Sequence, residues 1–390
     1  MKFYWKSVLN RKAFTAFIVL VSTYFIGFII FNLTCPHLAI INRISRDRLG
    51  DQIIIYSKAK WLAYKYKIPF LLVPFEKSNQ LNLFYKEKHC SKLQYNLYPI
   101  LYTIFGNYVK VRTEKDITNA LNKNSKLPTL FISRIGTKLQ EHLETDIEYH
   151  NTAWINSMVY ELMILNPDFA KNLKYMLQPK DKIEKLTLPK DKITVAVHVR
   201  KGGGFDPELK STQYYNISKY NIEYKEICIS KNNPNNIKRI VENTTKIDDK
   251  ILASIKKTFS DQGCPEKFPP EQYYVEQIKK LSHRFNNKPI YIHIFTDDNN
   301  PKQIKKRIKN SVNLPNIKFA YNKQNTSIVQ DYCAMAEFDC LIRSMSGFAY
   351  LSQLLGNHKI IIYPIHMTWI NPDILVVDKI GIIKRDNQNS

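Results

Sequence analysis

The second half of the chain alternates short apolar runs with segments of helical periodicity, and this alternation constrains its fold most strongly. The apolar runs predict strands at Ile193–Arg200, Pro289–Asp298, Ile317–Tyr321, Cys340–Ser344 and Lys359–Pro364. The intervening segments predict helices at Glu271–Phe285, Ile328–Phe338 and Phe348–Leu355. Apolar strands that alternate with helices are typical of a parallel, doubly wound sheet. We therefore predict an α/β fold.

A charged, proline-containing stretch at residues 177–192 predicts a linker between two domains. It contains the sequence Pro-Lys-Asp-Lys-Ile at residues 179–183, and a second copy begins at residue 189 and ends at Ile193, just after the stretch. The stretch has no apolar periodicity. We predict an N-terminal α/β domain over residues 38–176 and a C-terminal α/β domain over residues 193–390. In the first domain we expect helices at Gln52–Lys67 and Asn151–Leu165, with a strand inside residues 69–75. In the second, the Asn- and Lys-rich residues 223–265 predict a surface insertion.

The N-terminus predicts a membrane anchor. A basic tail, residues 1–12, precedes residues 13–33, a run of 21 residues without charge. A helix of that length spans the roughly 30 Å hydrocarbon core of a bilayer. The rival is a signal peptide, whose apolar region is usually about 7–15 residues long. We predict a single-pass anchor with a cytoplasmic N-terminus, from the positive-inside tendency, and leave open the side on which the two predicted domains lie.

The formal net charge of +24 favours acidic partners such as phosphorylated ligands, nucleic acid or anionic lipid. A Lys-rich solvated surface accounts for most of this charge, so we expect no nucleic-acid partner. Six cysteines form no Cys-x-x-Cys pair and no Cys/His cluster of zinc-finger spacing. The sequence therefore predicts no metal site.

Three of the predicted strands end in residues suited to bind a ligand. These ends are His198 with Arg200, Thr296–Asp298, and Arg343–Gly347. In a parallel sheet the carboxyl ends of the strands lie at one edge, where open α/β sheets bind ligands. We therefore expect the three segments to line a single crevice.

Arg200 is the strongest single candidate, because a guanidinium forms forked, charge-assisted hydrogen bonds to a diphosphate. Gly202 and the two glycines after it would let a substrate approach the backbone. The alternative role of Arg200 is an interdomain salt bridge. Asp297 and Asp298 would bind a base, a ribose or a metal, or only cap the next helix.

The segment from Ser344 to Gly347 opens a predicted helix, so Ser344 and Ser346 form a candidate anion site. Plain N-capping is the alternative. His293, in the middle of a strand, is predicted to be a core histidine. The chain contains no G-x-G-x-x-G after a strand, no P-loop and no G-x-S-x-G elbow. Without these motifs, a nicotinamide oxidoreductase is the least favoured of the functional classes considered, and a Ser/His/Asp hydrolase is also disfavoured.

Four motifs in order resemble those of the fucosyltransferase superfamily, which comprises α1,2-, α1,6- and protein O-fucosyltransferases. Arg48–Gln52 (RLGDQ) resembles its G-x-G-N-Q turn, and His198–Gly202 (HVRKG) resembles its H-x-R-R-G-D strand end. Phe295–Asp298 (FTDD) is similar to its F-[ST]-D-D strand end, and Asp331–Leu351 to its closing helix–strand–helix block. The resemblance covers roughly residues 40 to 365.

The resemblance implies two Rossmann-like domains of GT-B type and an enzyme that uses a GDP-sugar donor without a metal or other cofactor. Arg200 would hold the β-phosphate and stabilise the leaving GDP as the catalytic residue. The implied nucleotide-sugar-binding residues are Gly50, Gln52, His198, Arg200, Gly202, Asp297, Asp298, Ser344 and Ser346. The implied reaction transfers a sugar, with fucose as first candidate, to a hydroxyl of a glycan or protein acceptor.

The chain departs from the family pattern in three places, one of which is the displacement of the acid after the glycines to Asp206. Asp51 stands where the family has asparagine, and Lys201 replaces the second arginine. Two alternatives of other classes stay open. Asp51 favours an inactive protein that binds a nucleotide or sugar without turnover, and the net charge alone favours a basic nucleic-acid-binding protein.

Overall fold

The structure is a computed structural model, and it describes residues 2–43, 48–112, 114–123, 127–133, 163, 165–201, 228–229, 240–243, 268–322, 326–371 and 374–385. Gly202 and the following glycines lie outside the described residues, as do nearly all of the predicted helix at Asn151–Leu165 and most of residues 223–265. The chain divides into two compact units: residues 1–45, 55–76 and 86–144 form the first, and residues 46–54, 77–85 and 145–390 form the second.

The first unit contains a parallel sheet of five strands in the order β3-β2-β1-β5-β4. Its strands are β1 (Leu38–Asn42), β2 (Phe70–Leu72), β3 (Lys88–His89), β4 (Asn107–Val111) and β5 (Thr129–Ser133). All five residues of the central β5 are buried. This burial explains why the strand sequence TLFIS is mostly apolar.

The helices of the first half are α1 (Lys2–Thr34), α2 (Leu49–Tyr66), α3 (Asn82–Lys86), α4 (Lys92–Phe105) and α5 (Glu114–Lys123). Helix α2 confirms the helix predicted at Gln52–Lys67, although it begins three residues earlier. Ser91 caps α4 through a reciprocal pair of hydrogen bonds with Gln94. Within α1, Ala13–Thr34 is long and apolar enough to cross a membrane, and a signal sequence fits the same criteria.

The second unit contains the larger sheet, with strands in the order β10-β9-β6-β11-β12-β13-β7, while β8 also pairs with β13. These strands are β6 (Ile193–Val199), β7 (Cys228–Ile229), β8 (Ile240–Asn243), β9 (Ile290–Thr296), β10 (Ile317–Tyr321), β11 (Cys340–Ile342), β12 (Ile360–Asn371) and β13 (Ile374–Arg385). The pairs from β10 to β12 are all parallel. This confirms the predicted α/β class.

The sheet differs from the prediction at its far end. Strand β12 continues through Pro364 to Asn371 and pairs antiparallel with β13, which the apolar pattern did not predict. β7 and β8 fall inside the predicted surface insertion and pair with β13. Local sequence predicted the parallel strands because each is a short apolar run, whereas β13 is interrupted by charged residues.

The helices of the second unit are α6 (Pro167–Leu177), α7 (Glu271–Arg284), α8 (Pro301–Val312), α9 (Ile328–Ala336) and α10 (Gly347–Leu355). Buried side chains of α7 and α8, such as Tyr274 and Ile304, pack with those of β6 and β9 in one core cluster. Asn300 accepts a hydrogen bond from the Gln303 amide and so caps α8. The predicted linker, residues 177–192, overlaps α6 at Leu177, and residues 178–192 contain neither a helix nor a strand beyond an isolated bridge at Pro179.

Candidate nucleotide-sugar site

Three neighbouring parallel strands carry the predicted functional segments to one edge of the larger sheet. β6 lies between β9 and β11 and is parallel to both. His198 pairs in register with Phe295, and Val197 pairs with Ile342. The segments after Val199, Thr296 and Ile342 therefore leave the sheet side by side. The predicted convergence at the carboxyl edge is confirmed.

A cavity of about 540 Å³ opens at this edge, and all of its lining residues belong to the second unit. Six of the sequence-predicted residues line it: Gly50, His198, Arg200, Asp297, Asp298 and Ser346. Two described predicted residues, Gln52 and Ser344, do not line it. Both are buried, with 2% and 0% of their surface exposed.

Arg200 follows β6 directly and is 8% exposed. Its guanidinium carbon lies 5.6 Å from the centroid of the Phe268 ring, within range of a cation–π contact. Stacking on an aromatic face restricts a guanidinium while leaving its in-plane N–H groups directed outward. Arg200 thus presents a fixed positive charge at the cavity.

Lys201, the residue that departs from the family pattern, is held away from the cavity. Its Nζ lies 3.3 Å from an oxygen of Glu271, which also accepts two hydrogen bonds from Arg307 at 2.9 and 2.6 Å. Burial alone would raise the pKa of Glu271, but the Arg307 hydrogen bonds and both cations hold it below its usual range. The Lys201 amide donates to Asp297 Oδ1 at 2.5 Å. Lys201 therefore positions the strand end through its own ion pair.

Ser344 was predicted to bind phosphate, but the structure places its hydroxyl on His198. Ser344 Oγ and His198 Nδ1 are 2.9 Å apart in the interior. Burial, with the charges of Arg200 and Arg343, lowers the pKa of His198 to about 3. His198 is thus neutral at physiological pH, and Ser344 positions its ring.

Ser346 and Gly347 mark the start of helix α10 at the cavity. Ser346 is the N-cap residue, and its side chain makes no capping hydrogen bond. Since a helix N-terminus attracts anions, this end of α10 adds to the positive potential of Arg200. Ser346 lines the cavity and is not a side-chain cap, and its role as a phosphate ligand stays a prediction.

Gly50, in the first turn of α2, lies against the start of α10. A methyl group at Gly50 would be 2.5 Å from the Gly347 carbonyl carbon and 2.6 Å from the Phe348 nitrogen. Only glycine allows this approach without a shift of backbone. Asp51, another departure from the family pattern, is exposed and does not line the cavity. Its carboxylate nevertheless lies at the start of α10, because a methyl group at Gly347 would be 2.9 Å from Asp51 Oδ1.

Asp297 and Asp298 do not cap helix α8. Asp298 Oδ1 accepts from the Asn300 amide at 2.6 Å, and its own amide donates to Thr296 Oγ1 at 3.2 Å. Asn300 supplies the cap instead. The two aspartates therefore shape the turn that borders the cavity.

Sequence reasoning did not include five polar residues that line the cavity among the site residues: Arg48, Asn299, Asn322, Thr326 and Asp331. Asn322 Nδ2 donates to Asp331 Oδ2 at 3.2 Å. Burial raises the pKa of Asp331 to about 6, against hydrogen bonds from Thr326 and Asn322 that lower it. Arg48 and Asp331 lie inside the family-like motifs, but no local pattern marks them as site residues.

His293 is a core residue, as predicted. It is 5% exposed, and its Nδ1 lies 3.1 Å from the Tyr291 hydroxyl. Its ring packs on Phe295 with centroids 4.6 Å apart. Among the described residues, no group of three His, Cys, Asp or Glu side chains is arranged to hold a metal ion.

A second cavity, of about 690 Å³, lies at the opposite edge of the same sheet. Helices α6, α9 and α10 all end there, at Leu177, Ala336 and Leu355. Four lysines line it: Lys174, Lys180, Lys182 and Lys185. Cations near helix C-termini compensate the helix dipoles, so these lysines have a structural explanation.

No protein-family model and no curated protein sequence matches this chain. Solved structures similar to it include an FUT1 mutant of Arabidopsis thaliana in complex with GDP, with 12% identity, a TM-score of 0.44 and coverage of 88% of this chain and 74% of that chain. POFUT1 in its apo form gives 10% identity, a TM-score of 0.40 and coverage of 83% and 96%. Fucosyltransferase NodZ from Bradyrhizobium gives 11% identity, a TM-score of 0.33 and coverage of 90% and 99%.

Proposed function

We propose that this chain is a membrane-anchored glycosyltransferase that moves a sugar, with fucose as the first candidate, from a GDP-sugar to a glycan or protein hydroxyl. One observation carries the proposal. A single cavity combines a fixed guanidinium, a helix N-terminus with an available serine, and a carboxylate–amide pair. These groups complement the two ends of a guanosine diphosphate.

The diphosphate end is formed by Arg200, Arg48 and the start of helix α10 at Ser346. Both arginines line the cavity, and the helix dipole adds its partial positive charge. Charge-assisted hydrogen bonds of this kind are the strong ones in phosphate recognition. His198, neutral because of its lowered pKa, adds a polar wall without a competing charge.

The base end is formed by Asp331, Asn322 and Thr326. The two oxygens of an ionised carboxylate accept two parallel N–H bonds, and the Watson–Crick edge of guanine offers two adjacent N–H donors. Adenine presents an acceptor at the corresponding position, and uracil offers a single N–H. A site built to hydrogen-bond particular donors rejects an analogue that lacks them. The cavity therefore favours GDP over ADP and UDP.

The reaction needs little beyond charge stabilisation. As the bond between the sugar and the β-phosphate breaks, negative charge accumulates on the GDP oxygens, and Arg200 with the start of α10 stabilises it. The acceptor hydroxyl oxygen attacks the sugar carbon, GDP leaves with the electron pair of the broken bond, and the hydroxyl proton passes to solvent. We propose that no metal takes part, so transfer continues in EDTA.

The anchor part of the proposal rests on Ala13–Thr34, which has a mean hydropathy of 2.3 in its most apolar window and is mostly exposed. A helix that is apolar all round and not covered by protein is typical of a membrane span. We propose the basic residues 1–12 on the cytoplasmic side.

The test is calorimetric titration of the full chain in lipid nanodiscs with GDP, UDP and ADP. We expect selective GDP binding that Arg200→Ala weakens by about 2 kcal/mol, roughly thirtyfold in Kd. Lys302→Ala is the matched control, because Lys302 is an exposed cation beside the cavity that does not line it. Equal losses in both variants, with no preference among nucleotides, would contradict a specific site.

Turnover separates the transferase from an inactive binding protein. We expect release of GDP from GDP-fucose in the presence of acceptor glycans, with and without EDTA. GDP binding without turnover of any GDP-sugar would contradict the enzymatic part of the proposal. Asp51 is the residue that keeps the inactive alternative open, because its carboxylate lies against Gly347 at the start of α10 and opposes an anion at that helix end.

A further inference from the structure

Helix α4 exposes a line of large apolar side chains on the side away from its sheet. Leu93, Leu97, Ile100 and Ile104 are 68%, 43%, 57% and 55% exposed. Their spacing places them on one side of an α-helix. We call these four residues the apolar stripe. Tyr98 and Tyr102, on the opposite side, are buried.

The polarity of α4 changes along its length. The first turns carry the polar residues Lys92, Gln94 and Asn96, whereas residues 97–105 contain no charged or amide side chain. The exposed Thr103 donates its hydroxyl hydrogen to the Pro99 carbonyl at 2.6 Å, so it presents no unpaired donor. Contiguous apolar surface of this kind marks an interaction site with protein or membrane.

Helix α1 lies alongside α4 and runs antiparallel to it. The Phe105 ring, at the end of α4, contacts Tyr24, Phe28 and Phe31, with centroids 5.1, 5.8 and 5.6 Å apart. Nearer the start of α4, the Tyr98 hydroxyl donates to the Thr34 carbonyl at 3.1 Å.

The approach of the two helices is close at Gly27. A methyl group there would lie 3.2 Å from the Phe105 ring. Small residues at such contacts are typical of helix packing inside a membrane. Between Thr34 and Tyr24, α1 advances by about 15 Å at ~1.5 Å per residue. Because Phe105 contacts both Tyr24 and Phe31, the end of α4 lies between about 5 and 15 Å along the apolar segment from its C-terminal end.

We propose that the apolar stripe of α4 is embedded in the acyl chains of the membrane that α1 spans. This inference rests on the proposed anchor. With Ala13–Thr34 across the bilayer, the last two turns of α4 lie at the depth of the hydrocarbon core, and the polar first turns lie at the headgroups. Helix α1 then crosses the bilayer, and α4 enters it only part of the way. Contact of both helices with the membrane fixes the orientation of the first unit on it.

The experiment places the photoreactive residue p-benzoylphenylalanine at Ile100 or Ile104 of the full chain, reconstituted in liposomes with labelled phosphatidylcholine. Irradiation is expected to give a lipid adduct at both positions, several-fold above that at Asn119. Asn119 is the matched control, because it is exposed on α5 of the same unit among polar neighbours.

A third position distinguishes failure of the stripe from failure of the anchor. Leu20, 71% exposed on α1, reports membrane insertion itself. A lipid adduct at Leu20 without one at Ile100 and Ile104 would overturn the stripe alone and leave the anchor in place. Covalent dimers at Ile104 in place of lipid adducts would assign the stripe to a second copy of the chain. Absence of lipid adducts at every position would overturn both.

Discussion

At the residue scale, Asp331 is the group whose charge state bears most directly on the proposed activity. Its pKa is raised from 3.8 to about 6, mainly by burial. The folded protein therefore binds more protons than the unfolded chain between these values. The contribution of Asp331 to the free energy of unfolding is present below pH 3.8, falls as the pH rises to about 6, and is constant above that.

This charge state predicts the pH dependence of nucleotide binding. When only the ionised Asp331 binds guanine, GDP affinity falls roughly tenfold for each pH unit below about 6. The Asp331→Asn variant should bind GDP weakly, and its GDP affinity should no longer fall because residue 331 becomes protonated. Any pH dependence that comes from ionisation of the GDP phosphate should remain. Titrations at several pH values with both proteins measure the difference. Parallel pH profiles would assign guanine recognition to other groups.

The residue types of the site could be predicted, but their roles often could not. Arg200 and the Asp297–Asp298 pair stand where the strand ends indicated. Ser344 was expected at the ligand and instead hydrogen-bonds His198. That contact joins residues 146 positions apart. Because strands β6 and β11 bring the two together only in the folded sheet, local sequence carries no signal for it.

At the element scale, helices α2 and α10 meet through their first turns, and Gly50 permits the contact. Gly50→Ala would place a methyl group 2.5 Å from backbone, which cannot move as a side chain can. We expect a loss of about 1–3 kcal/mol in the free energy of unfolding, measured by denaturant titration, together with weaker GDP binding. A fully stable variant would show that the start of α2 is displaced easily.

Gly27→Ala is the matched control for this prediction. The same methyl group there meets only the Phe105 ring, at 3.2 Å, and a ring adjusts by a few tenths of an ångström. Alanine also has a higher helix propensity than glycine, by about 1 kcal/mol. We expect a smaller effect on stability and no effect on GDP affinity.

The elements themselves were predictable where they are regular. Helix α7 has one apolar and one polar face, and β6 and β9 are short apolar runs. The sequence pattern alone therefore predicted the ends of these three elements to within two residues. β13 carries Asp378, Lys379 and Lys384 and depends on pairing with β12. Such a strand is specified by the strands that pair with it, and its own sequence does not predict it.

At the scale of the whole molecule, the net charge of +24 attracts any polyanion, so charge alone cannot distinguish a GDP-sugar from a nucleic acid. Geometry separates them. The two arginines of the cavity, Arg48 and Arg200, lie in a concave site of about 540 Å³ together with Asp298 and Asp331. Acidic groups at the same site oppose a long phosphate backbone but suit a ligand that carries both phosphate and base donors.

Salt dependence turns this contrast into a measurement. Binding of duplex DNA that neutralises Z phosphates weakens with a log–log slope of about −0.9Z, whereas GDP contacts only its own two phosphates. We expect GDP affinity to fall shallowly as salt rises, and any DNA binding to fall steeply. Arg200→Ala should weaken GDP binding roughly thirtyfold. It should leave DNA binding nearly unchanged, because scattered surface lysines contact the DNA. A different result would be DNA binding that weakens steeply with salt and that Arg200→Ala also removes. That result would make the cavity part of a nucleic-acid interface.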